Sequence, residues 1–151
     1  MFNWISYRLK LNRLRRRKRR VARAYDTDIA RAFKDKKSTE EIESIRYDRH
    51  WELGNCDDEI AQLQTDYLSE LADIYGVPRP PFLIVGNIPS DGWYESQLFG
   101  RYLLTTSGRA QLRSSIRAEK KDRRDAVLPY ITLLFALAGA VVGTLTFIYK
   151  H

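Results

Sequence analysis

Apolar residues recur at helical spacing along the first 75 positions and define two long amphipathic segments. In the first segment they lie three or four positions apart, except for one gap of seven across Lys18, and they share one sector of a helical projection. A near-heptad pattern of this kind predicts a helix of about thirty residues with a coiled-coil-like apolar seam. The seam residues are Trp4, Tyr7, Leu11, Leu14, Val21, Tyr25, Ile29 and Ala32.

The second segment begins at Ser38-Thr39-Glu40-Glu41, which has the form of a capping box. The phase of its apolar positions is unchanged across Gly54-Asn55, so the pattern predicts one continuous helix from about 39 to 75. Gly76 and Pro78 then supply a stop signal. The seam residues of this helix are Ile42, Ile45, Leu53, Cys56, Ile60, Leu63, Tyr67, Leu71 and Ile74.

A short connection at 36–38 joins these two helices, which predicts an antiparallel hairpin over 1–76. Residue i then lies opposite roughly residue 75 − i. The basic run at 8–20 therefore faces about 55–67, and the stretch 56–75 carries six Asp/Glu and no Lys/Arg. This charge match supports the predicted pairing.

Beyond the hairpin, the composition changes twice. Prolines and glycines concentrate between 76 and 100, so we expect a loop over 77–104 with a possible short strand at Arg101 to Leu104. Thr105 is expected to cap a basic third helix over 105–125. The following stretch, 126–149, is 24 residues long and contains no charge.

An uncharged helix of this length spans about 36 Å, against about 30 Å for the hydrocarbon core of a bilayer. The sequence therefore predicts an all-α fold, in which the third helix continues into a single C-terminal transmembrane helix over 126–149. Seven Lys/Arg lie between 109 and 124, and only Lys150 follows the span. The positive-inside rule then places the N-terminus and residues 1–125 in the cytoplasm, with the span in the inner (plasma) membrane.

The formal net charge of +7 is distributed in blocks. Residues 1–24 hold ten Lys/Arg and no Asp/Glu, whereas 25–100 hold seven bases and sixteen acids. Three interpretations of the basic positions remain open: adsorption to anionic lipid, phosphate contacts with nucleic acid, and a solvated helix face partly neutralised by helix two. A nearby membrane anchor favours lipid over nucleic acid. The candidate contact residues are Arg15, Arg16, Arg17, Lys18, Arg19, Arg20, Lys120, Lys121, Arg123 and Arg124.

Small residues share one face of the predicted span, at Ala136, Gly139, Ala140 and Gly143. Such a face lets two membrane helices approach closely and indicates a possible homo-oligomer. The alternative is that glycine and alanine are simply common in membrane helices.

No residue pattern indicates an active site. The single cysteine, Cys56, lies in the apolar seam and is interpreted as a small core residue, and His50 has no second ligand nearby. Asp57-Asp58-Glu59 is interpreted as an exposed acidic turn rather than a cation site. Trp93-Tyr94 and Phe82 either mark a partner-binding spot or pack the loop onto the hairpin. We therefore predict no enzyme activity, no metal and no cofactor.

Two segments carry a resemblance. The first is Tyr102-Leu103-Leu104-Thr105-Thr106-Ser107-Gly108, with Leu112-Arg113, Ile116-Arg117 and Glu119 after it; the second is the run from Asp58 to Tyr67. They resemble segments of small uncharacterised bacterial single-pass membrane proteins. The resemblance implies a bacterial inner-membrane setting and supplies no activity.

These observations together predict a non-enzymatic, membrane-anchored coiled-coil interaction or scaffold protein. Its expected partners are the lipid bilayer, an unknown cytoplasmic protein and further copies of the chain. One alternative is a small membrane-active oligomer, such as a pore or toxin-like protein. Another is a membrane-tethered nucleic-acid binder.

Overall fold

The structure is a computed structural model that describes residues 4–82, 84–85, 88–89 and 91–150. Side chains are not described at 84–85, 88–89, 138 and 140–150. The described chain is mostly helical, which confirms the predicted helical class. Its elements in chain order are α1 (Trp4–Lys34), α2 (Thr39–Tyr75), β1 (Ile84–Val85), β2 (Ile88–Pro89), β3 (Trp93–Ser96), β4 (Arg101–Leu104) and α3 (Thr106–Lys150).

Helices α1 and α2 form the predicted antiparallel hairpin. Ion pairs cross it from Lys18 Nζ to Asp57 Oδ2 at 2.6 Å and from Arg49 Nε to Asp26 Oδ1 at 3.0 Å. In each of these pairs the residue numbers add up to 75, as the pairing rule requires. Near the open end the rings of Tyr7 and Tyr67 stack with centroids 3.8 Å apart. The charge match in the sequence therefore corresponds to real contacts between the helices.

The ends of α2 are set by local capping. The Ser38 side chain accepts from the backbone N–H of Glu41, and the Glu41 carboxylate accepts from the backbone N–H of Ser38 at 3.1 Å. At the other end Gly76 has a φ of 67°, a left-handed conformation that suits a residue without Cβ. The helix runs unbroken through Gly54. The predicted start, continuity and stop of α2 are all confirmed.

The main core lies between the C-terminal half of α2, strand β4 and the first turns of α3. Its buried residues are Leu68, Ala72, Val77, Leu104, Leu112 and Ile116. The predicted α1–α2 seam is wrong at the open end of the hairpin, because Trp4 is 58% exposed and Ile74 is 52% exposed. The physical reason is that α2 uses a second face there, on which Ala61, Thr65, Leu68 and Ala72 recur at helical spacing.

The segment predicted as a loop contains two small antiparallel hairpins. Strand β4 coincides with the expected short strand, but its partner β3 and the pair β1–β2 were not predicted. The β3–β4 hairpin is attached to α2 by two contacts. The backbone N–H of Leu104 donates to Thr65 Oγ1 at 3.1 Å, and Arg101 forms an ion pair with Asp66 at 2.8 Å. Strand β4 therefore packs on α2 and contributes the fully buried Leu103 and Leu104.

Helix α3 begins at the predicted cap, because the backbone N–H of Gly108 donates to Thr105 Oγ1 at 3.1 Å. It then runs as one helix to Lys150, with Pro129 inside it. Apolar side chains between Val127 and Leu137 are largely exposed. Among the described residues, no helix combines the length and the apolar character required to cross a bilayer. The predicted membrane span therefore stays a prediction.

Candidate polyanion-binding surface

The basic run of α1 is divided between two faces of the helix. Arg17 Nη1 donates to Glu59 Oε2 at 2.7 Å, and Lys18 pairs with Asp57, so both side chains lie against α2. The hydrogen bond and the charge of Glu59 raise the pKa of Arg17 above its ordinary value. Of the six basic residues in the run, these two are the ones that the acidic half of α2 neutralises.

The other four arginines face away from the acidic side chains of α2. Arg15, Arg16, Arg19 and Arg20 are exposed, and none of them forms an ion pair with a residue that the structure describes. Arg16, Arg19 and Arg20 line an open depression of about 660 Å³ along α1 together with Arg13 and Arg23. A row of guanidinium groups on an open helix face can contact phosphates of any polyanion but cannot select one by shape.

The basic residues before the predicted span have different roles. Arg123 Nη2 donates to the carbonyl oxygen of Tyr75 at 2.6 Å, Arg123 Nε pairs with Glu119 at 2.8 Å, and the guanidinium lies over the Tyr75 ring. Arg123 therefore clamps α3 to the end of α2. Arg124 contacts the neighbouring Asp125 at 3.4 Å.

Lys120 and Lys121 are exposed and form no ion pair within the described part of the chain. Lys120 lies on the same side of the molecule as Arg15, since both line a groove between α1 and α3. The structure thus brings together two of the predicted contact residues from distant parts of the sequence.

The acidic triplet on α2 is used inside the protein. Asp57 and Glu59 pair with α1, while Asp58 accepts from the Tyr94 hydroxyl at 2.8 Å and from the Ser96 hydroxyl. Burial and the neighbouring Asp58 carboxylate raise the pKa of Tyr94 well above its ordinary value. The interpretation as an exposed turn is therefore wrong for Asp58, which is half-buried and anchors β3. Tyr94 and Ser96 lie two residues apart and so share one face of β3. This alternation in the sequence was the signal from which the strand, and with it the partners of Asp58, could have been predicted.

The remaining candidates have structural surroundings. Cys56 is buried, and burial raises the pKa of its thiol, which confirms its interpretation as a core residue. His50 is exposed, and across the residues with assigned positions no three metal-binding side chains cluster. Trp93 donates from Nε1 to the Pro80 carbonyl at 3.1 Å, and Phe82 packs edge-on against Trp93 and Tyr102. The structure confirms the packing interpretation for Trp93, which lies against the core, and for Tyr94, which donates to Asp58 of α2. Phe82 is 45% exposed, so a partner-binding role for this residue stays a prediction.

The predicted small-residue face of α3 lies largely beyond the described side chains. Ala136 and Gly139 are exposed, and a Cβ added at Gly139 would meet no atom within 4 Å. Ala140 and Gly143 belong to the part of α3 whose side chains are not described. A role for these four residues in helix packing stays a prediction.

Comparison with models of protein families, with curated proteins and with solved structures finds no match to this chain. The resemblance to small bacterial membrane proteins therefore rests on the two sequence segments alone.

Proposed function

We propose that this chain is a non-enzymatic interaction module, anchored in a membrane by the second half of α3. The observation that carries the proposal is the exposure of every large apolar side chain between 127 and 137. At 100° per residue these side chains cover about 220° of the helix circumference. The remaining arc holds the uncharged Pro129, Thr132 and Ala136, and the uncharged sequence continues to 149. The exposed residues are Val127, Leu128, Tyr130, Ile131, Leu133, Leu134, Phe135 and Leu137.

A helix that is apolar all round is stable only when it is surrounded by other apolar groups. Moving one large aliphatic or aromatic side chain out of water contributes about 1.5–3 kcal/mol. Arg123 of α3 contacts Tyr75 at the end of α2, and every residue from 124 to 137 is exposed. The hydrocarbon core of a bilayer would surround the exposed side chains between 127 and 137 with apolar groups.

The basic surfaces support the proposed orientation. Basic residues near an anionic membrane contribute about 1 kcal/mol each, and the flanking charge places the N-terminal part on the cytoplasmic side. Tyr75 at the end of α2 contacts α3, so the antiparallel hairpin puts the start of α1 at the same end. Trp4 and Ile5 are both exposed there. An amphipathic aromatic residue such as Trp4, at the end of the hairpin from which α3 continues, suits the interface between membrane and water.

The opposite part of the hairpin supports interaction with a protein partner. Tyr47 and Trp51 are exposed one helical turn apart on α2, with Leu98 exposed beside Trp51. Exposed aromatic residues are typical of the centres of protein interfaces. A bound partner would cover this apolar surface.

Extraction of isolated membranes with alkaline carbonate tests the anchor. We expect the full chain to stay with the membranes and the Leu134→Lys/Leu137→Lys variant to be released, because each charge in a bilayer centre costs about 2.5–3.5 kcal/mol. The matched control is Tyr47→Lys/Trp51→Lys, which adds the same charge at exposed positions of α2 that lie far from its contact with α3. The proposal is wrong if the unmodified chain remains in the supernatant after ultracentrifugation without detergent.

A further inference from the structure

A groove of about 490 Å³ lies where the start of α1, the end of α2 and the first turns of α3 meet. Its floor is largely aromatic and aliphatic, formed by the stacked rings of Tyr7 and Tyr67 with Leu71 and Ile116, and it also includes the buried polar residue Gln64. Tyr7 and Ile116 are buried, so the floor belongs to the packed part of the protein.

The rim of this groove is cationic. Helix α3 contributes Arg113, Arg117 and Lys120, which are four and three residues apart and so share one helix face. Helix α1 contributes Arg15 from the opposite side. None of these four side chains forms an ion pair with any part of the chain that the structure describes.

Like charges from two helices repel one another unless an anion lies between them. An apolar floor beside such a rim fits a ligand that has both an anionic group and hydrocarbon. The exposed row of Arg16, Arg19 and Arg20 differs in this respect, because the depression that it borders is lined by α1 residues alone, none of them aromatic. A free polyanion would therefore fit the outer row, whereas an amphiphile, which carries hydrocarbon beside its anionic group, fits the groove.

The position of the groove also favours a lipid. Lys120 precedes Ala126 by six residues, which is about 9 Å along a helix. The groove therefore opens close to where the proposed span begins, and the exposed Trp4 lies at its edge. We propose that this groove binds one anionic phospholipid, with the phosphate between Arg15 and the α3 cations and an acyl chain along Tyr7, Tyr67 and Leu71.

The inference rests on the proposed membrane anchor for the supply of lipid, but its test does not require the anchor. The full chain in non-ionic detergent is titrated by calorimetry with dihexanoyl phosphatidylglycerol, dihexanoyl phosphatidylcholine and inorganic phosphate. The test variant is Arg113→Gln/Arg117→Gln. The matched control is Arg16→Gln/Arg19→Gln, which removes the same charge from the outer row. Circular dichroism serves to check that both variants are folded.

We expect tighter binding of phosphatidylglycerol than of phosphatidylcholine or inorganic phosphate. The groove variant should bind phosphatidylglycerol about 30-fold more weakly, as expected for two cations that contribute about 1 kcal/mol each. The control should keep the affinity of the unmodified chain. An equal loss in both variants would show that net charge alone attracts the lipid, and inorganic phosphate binding as tightly would remove the role of the floor. Either result overturns the inference.

The outcomes separate the two proposals. Carbonate extraction tests only the membrane anchor. The Arg113→Gln/Arg117→Gln variant should stay with the membranes, because its proposed membrane span is unchanged. Retention without a preference for phosphatidylglycerol refutes the groove alone. If phosphatidylglycerol is preferred and the groove variant loses this preference, but the unmodified chain does not stay with membranes, then only the anchor is refuted.

Discussion

Gly108 in the first turn of α3 packs directly against the backbone of Gly92, just before β3. A Cβ placed on Gly108 would overlap the carbonyl oxygen of Gly92 and lie 3.0 Å from its carbonyl carbon. That same oxygen accepts from the backbone N–H of Thr105 at 3.0 Å. Replacing Gly108 by alanine therefore forces apart two backbone segments that also cap α3.

The expected cost follows from two opposing contributions. Forcing extra atoms into a packed site costs about 1–3 kcal/mol, whereas replacing glycine by alanine inside a helix gains about 0.8–1.0 kcal/mol. The gain is smaller in a first turn, so Gly108→Ala should lower the free energy of unfolding by about 1–2 kcal/mol. For a chain of this size, that lowers Tm by about 2–8 °C.

Gly54 provides the matched control. It lies in the middle of α2, and an added Cβ there would meet no atom within 4 Å. The same substitution should therefore raise the free energy of unfolding by about 1 kcal/mol and raise Tm by about 2–4 °C. Both variants are compared with the unmodified chain in one detergent, by circular dichroism at 222 nm during heating and urea titration. The close packing of α3 on β3 would be refuted if Gly108→Ala were as stable as Gly54→Ala.

Two further contacts predict measurable effects. Tyr94→Phe should lower stability by about 1–2 kcal/mol near pH 8, because Asp58 loses a hydrogen bond. The pKa of Tyr94 in the folded protein is raised above its unfolded value of about 10. The contribution of its hydroxyl to stability is therefore complete below about pH 10 and is lost at higher pH. Urea unfolding should accordingly show that the stability difference between Tyr94→Phe and the unmodified chain narrows above about pH 10. A difference that does not change with pH would contradict this. A double-mutant cycle on Arg17 and Glu59 should give a small favourable coupling energy that shrinks as salt is added, whereas no coupling at low salt would contradict the ion pair.

The helices and their pairing were predictable because each rests on local or periodic signals. The capping box at Ser38 and the left-handed Gly76 fix α2 by short-range hydrogen bonds that the sequence shows directly. The basic and acidic stretches then identify which parts of the two helices face each other. Such features depend on spacing along one chain segment, and a single sequence contains that information.

The β3–β4 hairpin and the second face of α2 depend on contacts between distant segments. Strands of four residues give too few alternations to be distinguished from a loop. Ala61 and Thr65 are small or polar, so they do not register as core positions until β4 is placed against them. The role of Asp58 was missed for the same reason, since its partners lie on a strand that was not predicted. The groove was missed because its rim combines cations from both ends of the sequence.

The ion pairs within the molecule leave one group of cations without an acidic partner in the described chain. Asp57 and Glu59 face α1 and Asp66 faces β4, so these three carboxylates are not available to neutralise the outer row of α1 or the rim of the groove. The rim cations Arg15, Arg113, Arg117 and Lys120 lie at the end of the hairpin from which α3 continues. An anionic membrane at that end would be attracted by the same charges that α2 leaves unpaired.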